Sequence, residues 1–416
     1  MNAQEQVAVI GAGVIGTAVA YALARDGRRV LLLDRDEPGV SGASFGNAGH
    51  IAMELQEPLP SPALLFNFWR ELFSIGGPLH VPARHIPAFL PWSARFALAA
   101  FKRSANTRHL APVVRPSVDV LEEMLREIGR SDLLRRNGHY EIWLNEKALD
   151  RALAQSRSME HLGVSTAAAP ADLLEAAKHA AHANTAAGLW FPGCAHVRDP
   201  LEVVRAFATA AMERGATILR RHVRALREHD GNIEIATDAE PLTVRTAVVC
   251  AGAWSAPLLT PFKLQVPLES ARGYHVEFPG ITPLVDAPIL YSNENILVTP
   301  MASRLRATSF MEFAEPDAPA DPRKPARLRA VLKTLGYTSE ESAPGWVGPR
   351  PVLPDYLPAI GVVPNRPNLF YSFGHQHIGL TVAAVNAGLV SDLVAGRPPR
   401  HDVSAFDLRR FGGHTR

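Results

Sequence analysis

Four apolar residues in a row, Val7-Ala8-Val9-Ile10, begin the first readable pattern of the chain. A run of that length predicts a strand buried on both faces, and it meets Gly11-Ala12-Gly13-Val14-Ile15-Gly16. A helix of small residues should follow and stop at Gly27, and a second apolar run, Val30 to Leu33, ends on Asp34. Further on, the period shortens from helical to alternating. Residues 267–278 place Ser270, Arg272, Tyr274 and Val276 on one face and Ala271, Gly273, His275 and Glu277 on the other. Runs at 289–291, 296–299 and 304–309 extend this into an antiparallel sheet. Helical spacing at Val118, Leu121, Leu125 and Ile128 predicts a helix over 117–136, with Ser117 as N-cap. Residues 199–215 predict another, with Asp199 as N-cap, Pro200 at the first turn and Gly215 as stop.

The remaining segments are weaker. Residues 56–112 are rich in proline and aromatic side chains and read as short helices of a lid or cap. His139 to Leu144 alternates like a strand, and 146–186 reads as alanine-rich helix with breaks. Ala216 to Leu219 and Val223 to Leu226 suggest a strand that could pass an adenine, and 233–235 with 242–244 a small hairpin. Val244 to Ser255 reads as a buried strand entering the turn Ala251-Gly252-Ala253-Trp254. A helix at 327–335, a strand at 369–372 and a last helix over 381–395 complete the chain.

The first stretch carries the most specific chemistry. Gly11 allows a tight turn, Gly13 lets a pyrophosphate approach the backbone, and Gly16 lets helix and strand pack closely. The helix N-terminus attracts phosphate charge, and Asp34 can accept hydrogen bonds from ribose hydroxyls. An ordinary βαβ unit would leave the three glycines and the acid unexplained. The segment Ser41 to His50, with Ser44 and Asn47 among small residues, can lie against a flat ring or a diphosphate, or form a plain surface loop. The turn at Ala251, Gly252 and Trp254 offers a second approach for backbone amides. Near the end, Gly374-His375-Gln376-His377-Ile378-Gly379-Leu380-Thr381 feeds a helix N-terminus, which suits negative charge.

Composition limits the rest. The 416 residues suit two domains or one interleaved pair, and 47% hydrophobic content supplies an ample core. A net charge of +2 without a basic run leaves no footprint for nucleic acid. Two distant cysteines, Cys194 and Cys250, fit a reducing compartment and rule out a cysteine-ligated cluster within the chain. No secretory signal and no membrane-spanning run are read, so the expected location is the cytoplasm. Pro87 to Phe101, followed by Lys102 and Arg103, can lie on the inner membrane surface or pack as an ordinary helix. His375 and His377, two residues apart, do not make a metal site, and no metal is expected.

Together, the GxGxxG with Asp34, SGASFGNAGHI, VVCAGAWS, GPRPVLPDYLPAIG and GHQHIGLT resemble the D-amino-acid oxidase superfamily of FAD enzymes, above all its D-amino-acid dehydrogenases. FGNAGHI and GHQHIGLT also resemble dehydrogenases of cis-4-hydroxy-D-proline. The resemblance implies an α/β plus α+β architecture: a Rossmann-type FAD domain (1–60, 190–262 and 340–416) interleaved with a substrate domain on an antiparallel sheet (61–189 and 263–339). It implies non-covalent FAD held by Gly11, Gly13, Val14, Ile15, Gly16, Asp34 and Arg35. Ser44, Asn47, Ala48, Gly49, His50, Ile51 and Val223 would add to that site. So would Ala251, Gly252, Trp254, Gly374, His375, Gln376, His377, Gly379, Leu380 and Thr381.

Arg350 matches the arginine of the family's GxRP motif, which pairs with the substrate carboxylate; the bland alternative is a surface arginine between prolines. Tyr274 and His377 are the other catalytic candidates, against readings as a core tyrosine and a turn histidine. The implied reaction is oxidation of a D-amino or cyclic D-imino acid by hydride transfer from Cα to flavin N5, without an obligatory protein base. Electrons would pass to a quinone or another carrier. Rival readings are a glycine, sarcosine or opine oxidase on the same scaffold, a flavin subunit of a larger complex, and an NAD-dependent dehydrogenase.

Overall fold

The computed structural model describes residues 6–338 and 344–412. The outermost parts of the expected domain ranges, 1–5, 339–343 and 413–416, lie outside the described residues. A six-stranded sheet runs in the order Thr217–Arg220, Arg29–Asp34, Gln6–Ile10, Thr246–Val249, Leu369–Phe373 and Ala359–Val362. Its first five strands are parallel and the last is antiparallel. Both faces are covered, which is why these strands read as unbroken apolar runs. Val7, Val9, Val30, Leu32 and Val248 pack under helices Val14–Arg25, Pro200–Glu213 and Gly379–Val394. Ala8, Ile10, Leu31, Leu33 and Val249 pack under a three-stranded sheet through Leu226, Ile233 and Ile235.

The second large sheet runs Trp346–Val352, Glu269–Pro279, Arg304–Phe313, Ile296–Pro300, Ile289–Tyr291, His139–Trp143, Ala187–Phe191 and Ala167–Ala168. Leu79–His80 pairs with its third strand. It is mostly antiparallel, as the alternation predicts, but Ile289–Tyr291 pairs in parallel with His139–Trp143. Trp346–Val352 pairs with Glu269–Pro279, so Arg350 is a residue of this sheet.

The strand expected at 304–309 continues to Phe313 through a bulge. The register slips by one residue between the pairs Arg272–Glu312 and Tyr274–Ser309, and Phe310 adopts φ +68°. Left-handed backbone at a phenylalanine is unfavourable and needs the surrounding sheet to hold it. The alanine-rich stretch divides into helices Ala148–His161 and Ala171–Ala180. The expected lid contains helices Pro62–Asn67, Ile86–Ala100 and Arg103–Val114, the latter two continuing through Pro91 and Pro112. No helix among the described residues is long and apolar enough to cross a membrane.

Candidate active site

A cavity of about 560 Å³ runs from the ends of the parallel strands to the bulged face of the large sheet. At its first end lies the glycine turn. Gly11 has φ +106°, and a Cβ there would lie 2.4 Å from the Cys250 carbonyl oxygen, so the turn admits no side chain. A Cβ on Gly16 would meet the Gly11 oxygen at 1.7 Å, so Gly16 sets the helix–strand contact and does not itself line the cavity. Helix Val14–Arg25 has no side-chain cap at Gly13; the Val14 amide donates to Ser44 Oγ at 3.0 Å. Asp34 is fixed as an acceptor: the Ala12 amide donates to Oδ2 at 2.6 Å and the Asp36 amide to Oδ1 at 3.1 Å. Its remaining lone pairs face the cavity it lines, where ribose hydroxyls can donate.

Around this turn, Val14, Ile15, Arg35, Asn47, Ala48, His50 and Val223 also line the cavity. Ala251, Gly252 and Trp254 close that end, with the Arg35 guanidinium 4.3 Å from the Trp254 ring centre. Gly49 and Ile51 stand behind the wall: the Gly49 carbonyl accepts from the Val197 amide, and Ile51 is buried in the core.

The opposite wall is the C-terminal turn. His375, Gln376, His377, Gly379 and Leu380 line the cavity, whereas Gly374 and Thr381 support it from behind. Thr381 Oγ1 accepts from the Ala52 amide at 3.0 Å, tying the turn to the small-residue loop. Helix Gly379–Val394 lacks a side-chain cap, so its first amides are free to meet negative charge. His375 is buried, and burial holds its pKa down to about 4; the neutral ring lies 3.2 Å from Asn386 Oδ1, which also accepts from Ser372. Gln376 Nε2 is buried and has no partner, although it belongs to a cavity-lining residue. His377 exposes its ring to the cavity yet is ringed by protein; burial and the Arg350 charge lower its pKa to about 3. It stacks on Tyr356 with ring centres 6.2 Å apart.

Arg350 comes to this wall from the large sheet. Its Nη1 donates to the Phe310 carbonyl at 3.0 Å, so the bulge provides its anchor. A Cβ on Gly273 would lie 2.1 Å from Arg350 Nη2: the guanidinium lies flat across a glycine on the neighbouring strand. Burial lowers its pKa to about 10, against the raising influence of Tyr356. No carboxylate among the described residues forms an ion pair with it, which leaves a half-buried guanidinium at the cavity wall with room for an external anion.

Tyr274 is corrected out of the site. Its hydroxyl donates to Glu312 Oε2 at 2.6 Å and accepts from the Asp321 amide, and it does not line the cavity. The alternation places it on the face opposite Gly273, within the core. Sequence reading also missed contributors. Trp346 lies across Gly46 and Gly348 and stacks on His275 at 4.9 Å, joining the small-residue loop to the large sheet. Ser309 to Met311, Glu54 and His139 line the cavity too. An alternating pattern gives no sign of a bulge, and an isolated tryptophan gives none of its partner glycines.

The glycine turns without side chains, two helix N-termini on one cavity whose N-cap residues lend no side chain, and the unpartnered Gln376 amide fit a dinucleotide whose ring lies between the turns. Comparison with known proteins agrees. The family model for FAD dependent oxidoreductases (DAO) matches residues 6–393. A D-amino-acid oxidase of Bradyrhizobium diazoefficiens is 29% identical, over 97% of this chain and 98% of its own. A D-amino acid dehydrogenase of Chromohalobacter salexigens is 25% identical over 98% and 99%. Among solved structures, glycine oxidase from Geobacillus kaustophilus superposes with TM-score 0.75 at 21% identity, covering 99% of this chain and all of that one. L-proline dehydrogenase from P. horikoshii superposes with TM-score 0.73 at 17% identity, covering 98% of each chain. With the matched model spanning nearly the whole length, this chain belongs to the DAO family of FAD-dependent oxidoreductases.

Proposed function

We propose that this enzyme oxidises a D-amino acid or a cyclic D-imino acid such as cis-4-hydroxy-D-proline. The observation that carries the reading is Arg350: a half-buried guanidinium at the cavity wall, anchored by Phe310 and, among the described residues, without a carboxylate partner. A substrate carboxylate would take two parallel hydrogen bonds from it, fixing the position of Cα. Neutral His377 does not compete for that anion and offers a hydrogen bond to the amine or to a ring hydroxyl. The uncapped N-terminus of Gly379–Val394, with Gln376 beside it, stabilises charge that develops on the opposite side. FAD, when bound, supplies the two-electron acceptor. The names of the curated relatives support a D-configured substrate.

The same reading divides the chain into an FAD domain on the six-stranded sheet and a substrate domain on the larger one. It also gives the reduced enzyme a quinone or another carrier as acceptor, met at a membrane surface. Support for a lipid-facing side comes from Phe66, Phe68, Trp69, Ile75, Leu90, Leu98 and Phe101, all exposed, with Arg70, Arg95 and Lys102 among them.

The test is to mix the yellow protein anaerobically with a panel of D- and L-amino acids, hydroxyprolines and N-methylglycine, following the flavin band. Bleaching by D-amino or D-imino acids is expected. Bleaching by glycine or N-methylglycine alone, with peroxide formed in air, would transfer the enzyme to the glycine and sarcosine oxidases.

A further inference from the structure

Glu54 and His139 line the cavity without a part in this reading, and they meet His50, which lines the same cavity, and Cys194, which stands behind its wall. His50 opens strand His50–Ile51 and Glu54 lies in the loop after it, His139 opens strand His139–Trp143, and Cys194 sits in the turn before strand Ala195–Val197. One nitrogen, oxygen or sulfur atom from each lies within 4.8 Å of the other three. Three of the contacts are close. The Cys194 thiol donates to Glu54 Oε2 at 3.0 Å; Glu54 Oε1 lies 3.7 Å from His50 Nε2 and 4.0 Å from His139 Nε2. The two imidazole rings are 4.4 Å apart, and Phe191 stacks on His139 at 4.3 Å.

The cluster has low exposure. The side chains of His50, His139 and Glu54 are 9%, 3% and 10% exposed, and Cys194 is buried. His50 Nε2 nevertheless has no hydrogen-bond partner, although it points at the Glu54 carboxylate side. Buried polar atoms in native proteins rarely stay unpaired. We propose that His50, Glu54, His139 and Cys194 form a binding site for one zinc-class divalent cation.

Three features fit this. The ligand set, two imidazoles, one carboxylate and one thiolate, is of the type zinc takes in tetrahedral sites. Metal–ligand bonds of about 2.0–2.3 Å put tetrahedral neighbours roughly 3.3–3.8 Å apart, so the observed separations close on a cation with small side-chain shifts. The charges also cancel: one thiolate and one carboxylate against a divalent cation leave no net charge in a site of low exposure. Binding releases the thiol proton, and a carboxyl proton where one is held, to solvent; no electron moves. A second acidic cluster offers the contrast. His80, Glu312 and Asp321 also lie close together, but Lys324 Nζ sits 2.9–3.0 Å from all three and already supplies the cation.

The site would act as a clamp. Its ligands come from the loop that lines the nucleotide end of the cavity, from the large sheet, and from the short sheet in which Ala195–Val197 pairs with His50–Ile51. Fixing all three would hold the loop against the sheet that carries Arg350.

The FAD-loaded full chain is dialysed against a chelator, reloaded with zinc chloride, desalted and analysed for metal by mass spectrometry. About one zinc per chain is expected, with X-ray absorption at the zinc edge showing one sulfur among nitrogen and oxygen ligands. Cys250, the other cysteine, lies against the Gly11 turn, so the sulfur signature reports Cys194. Cys194→Ala and His139→Ala should each reduce retained zinc roughly tenfold or more. The proposal is overturned if the wild-type chain retains no zinc, if the zinc edge shows no sulfur, or if soluble variants keep the full complement. If neither variant folds, the wild-type stoichiometry and sulfur signature decide it.

Discussion

The two ends of the cavity are built by opposite means. The nucleotide end is made of backbone: Gly11 to Asp34 is one contiguous βαβ unit whose glycines, helix start and acid arrive in order along the chain. The substrate end is made of side chains brought from afar. Arg350, Gly273 and Phe310 meet on three neighbouring strands, and His377 reaches them from the C-terminal turn. Holding a diphosphate needs a local curve of amides, which sequence spacing encodes. Gripping a carboxylate needs one guanidinium in the right place, and only the tertiary fold gives that place.

The largest effect should separate the ends outright. Gly11→Val forces a Cβ into the Cys250 carbonyl and a branched residue into positive φ. The product should be colourless or insoluble, measured as flavin-to-protein absorbance after purification. Next, Arg350→Leu should stay yellow while kcat/KM falls roughly 10²–10³-fold, about 3–4 kcal/mol in transition-state binding. A colourless Arg350→Leu protein would merge the two ends that this account keeps apart. Gly273→Ala sharpens the contrast further. Its methyl displaces the guanidinium and meets no residue of the Gly11–Gly16 turn, so KM should rise roughly tenfold or more with flavin content unchanged.

A pH prediction follows for the buried imidazoles. His196, His275 and His375 have pKa values lowered to about 4, chiefly by burial. Unfolded, each takes a proton near 6.5, so the unfolded state binds more protons between pH 6.5 and 4. Their contribution is therefore present above pH 6.5 and lost as pH falls toward 4. Glu141 and Glu54, each raised by burial to about 7, work in the opposite sense and offset two protons. The melting temperature should drop steeply from pH 6.5 to 4.5, and His375→Gln should flatten that slope. The smallest effect is Ser44→Ala. It removes the acceptor of the Val14 amide and should weaken flavin retention only several-fold, for a cost of about 1 kcal/mol, read by flavin release on dilution.

The same division explains what was legible in the sequence. Asp34, Gly11 and Gly13 could be placed because each acts through its position in a single local unit. Arg350 was identified by resemblance; its proline neighbours and spacing alone left it a surface arginine. Tyr274 misled because alternation assigns faces but does not say which face meets the cavity. The bulge at Phe310 left no trace, since its φ is imposed by the strands on either side. The cluster of His50, Glu54, His139 and Cys194 could not be read either, because its members lie up to 144 positions apart and join only when three segments pair.

The central claim is that Arg350 holds a carboxylate beside the flavin. It is tested most directly by titrating pyrrole-2-carboxylate, which has the anion but no hydrogen to give up at Cα, into FAD-loaded wild type and Arg350→Leu. A saturable shift of the flavin spectrum is expected in wild type and none at the same concentrations in the variant, with both proteins yellow. Equal affinity in the two would contradict it.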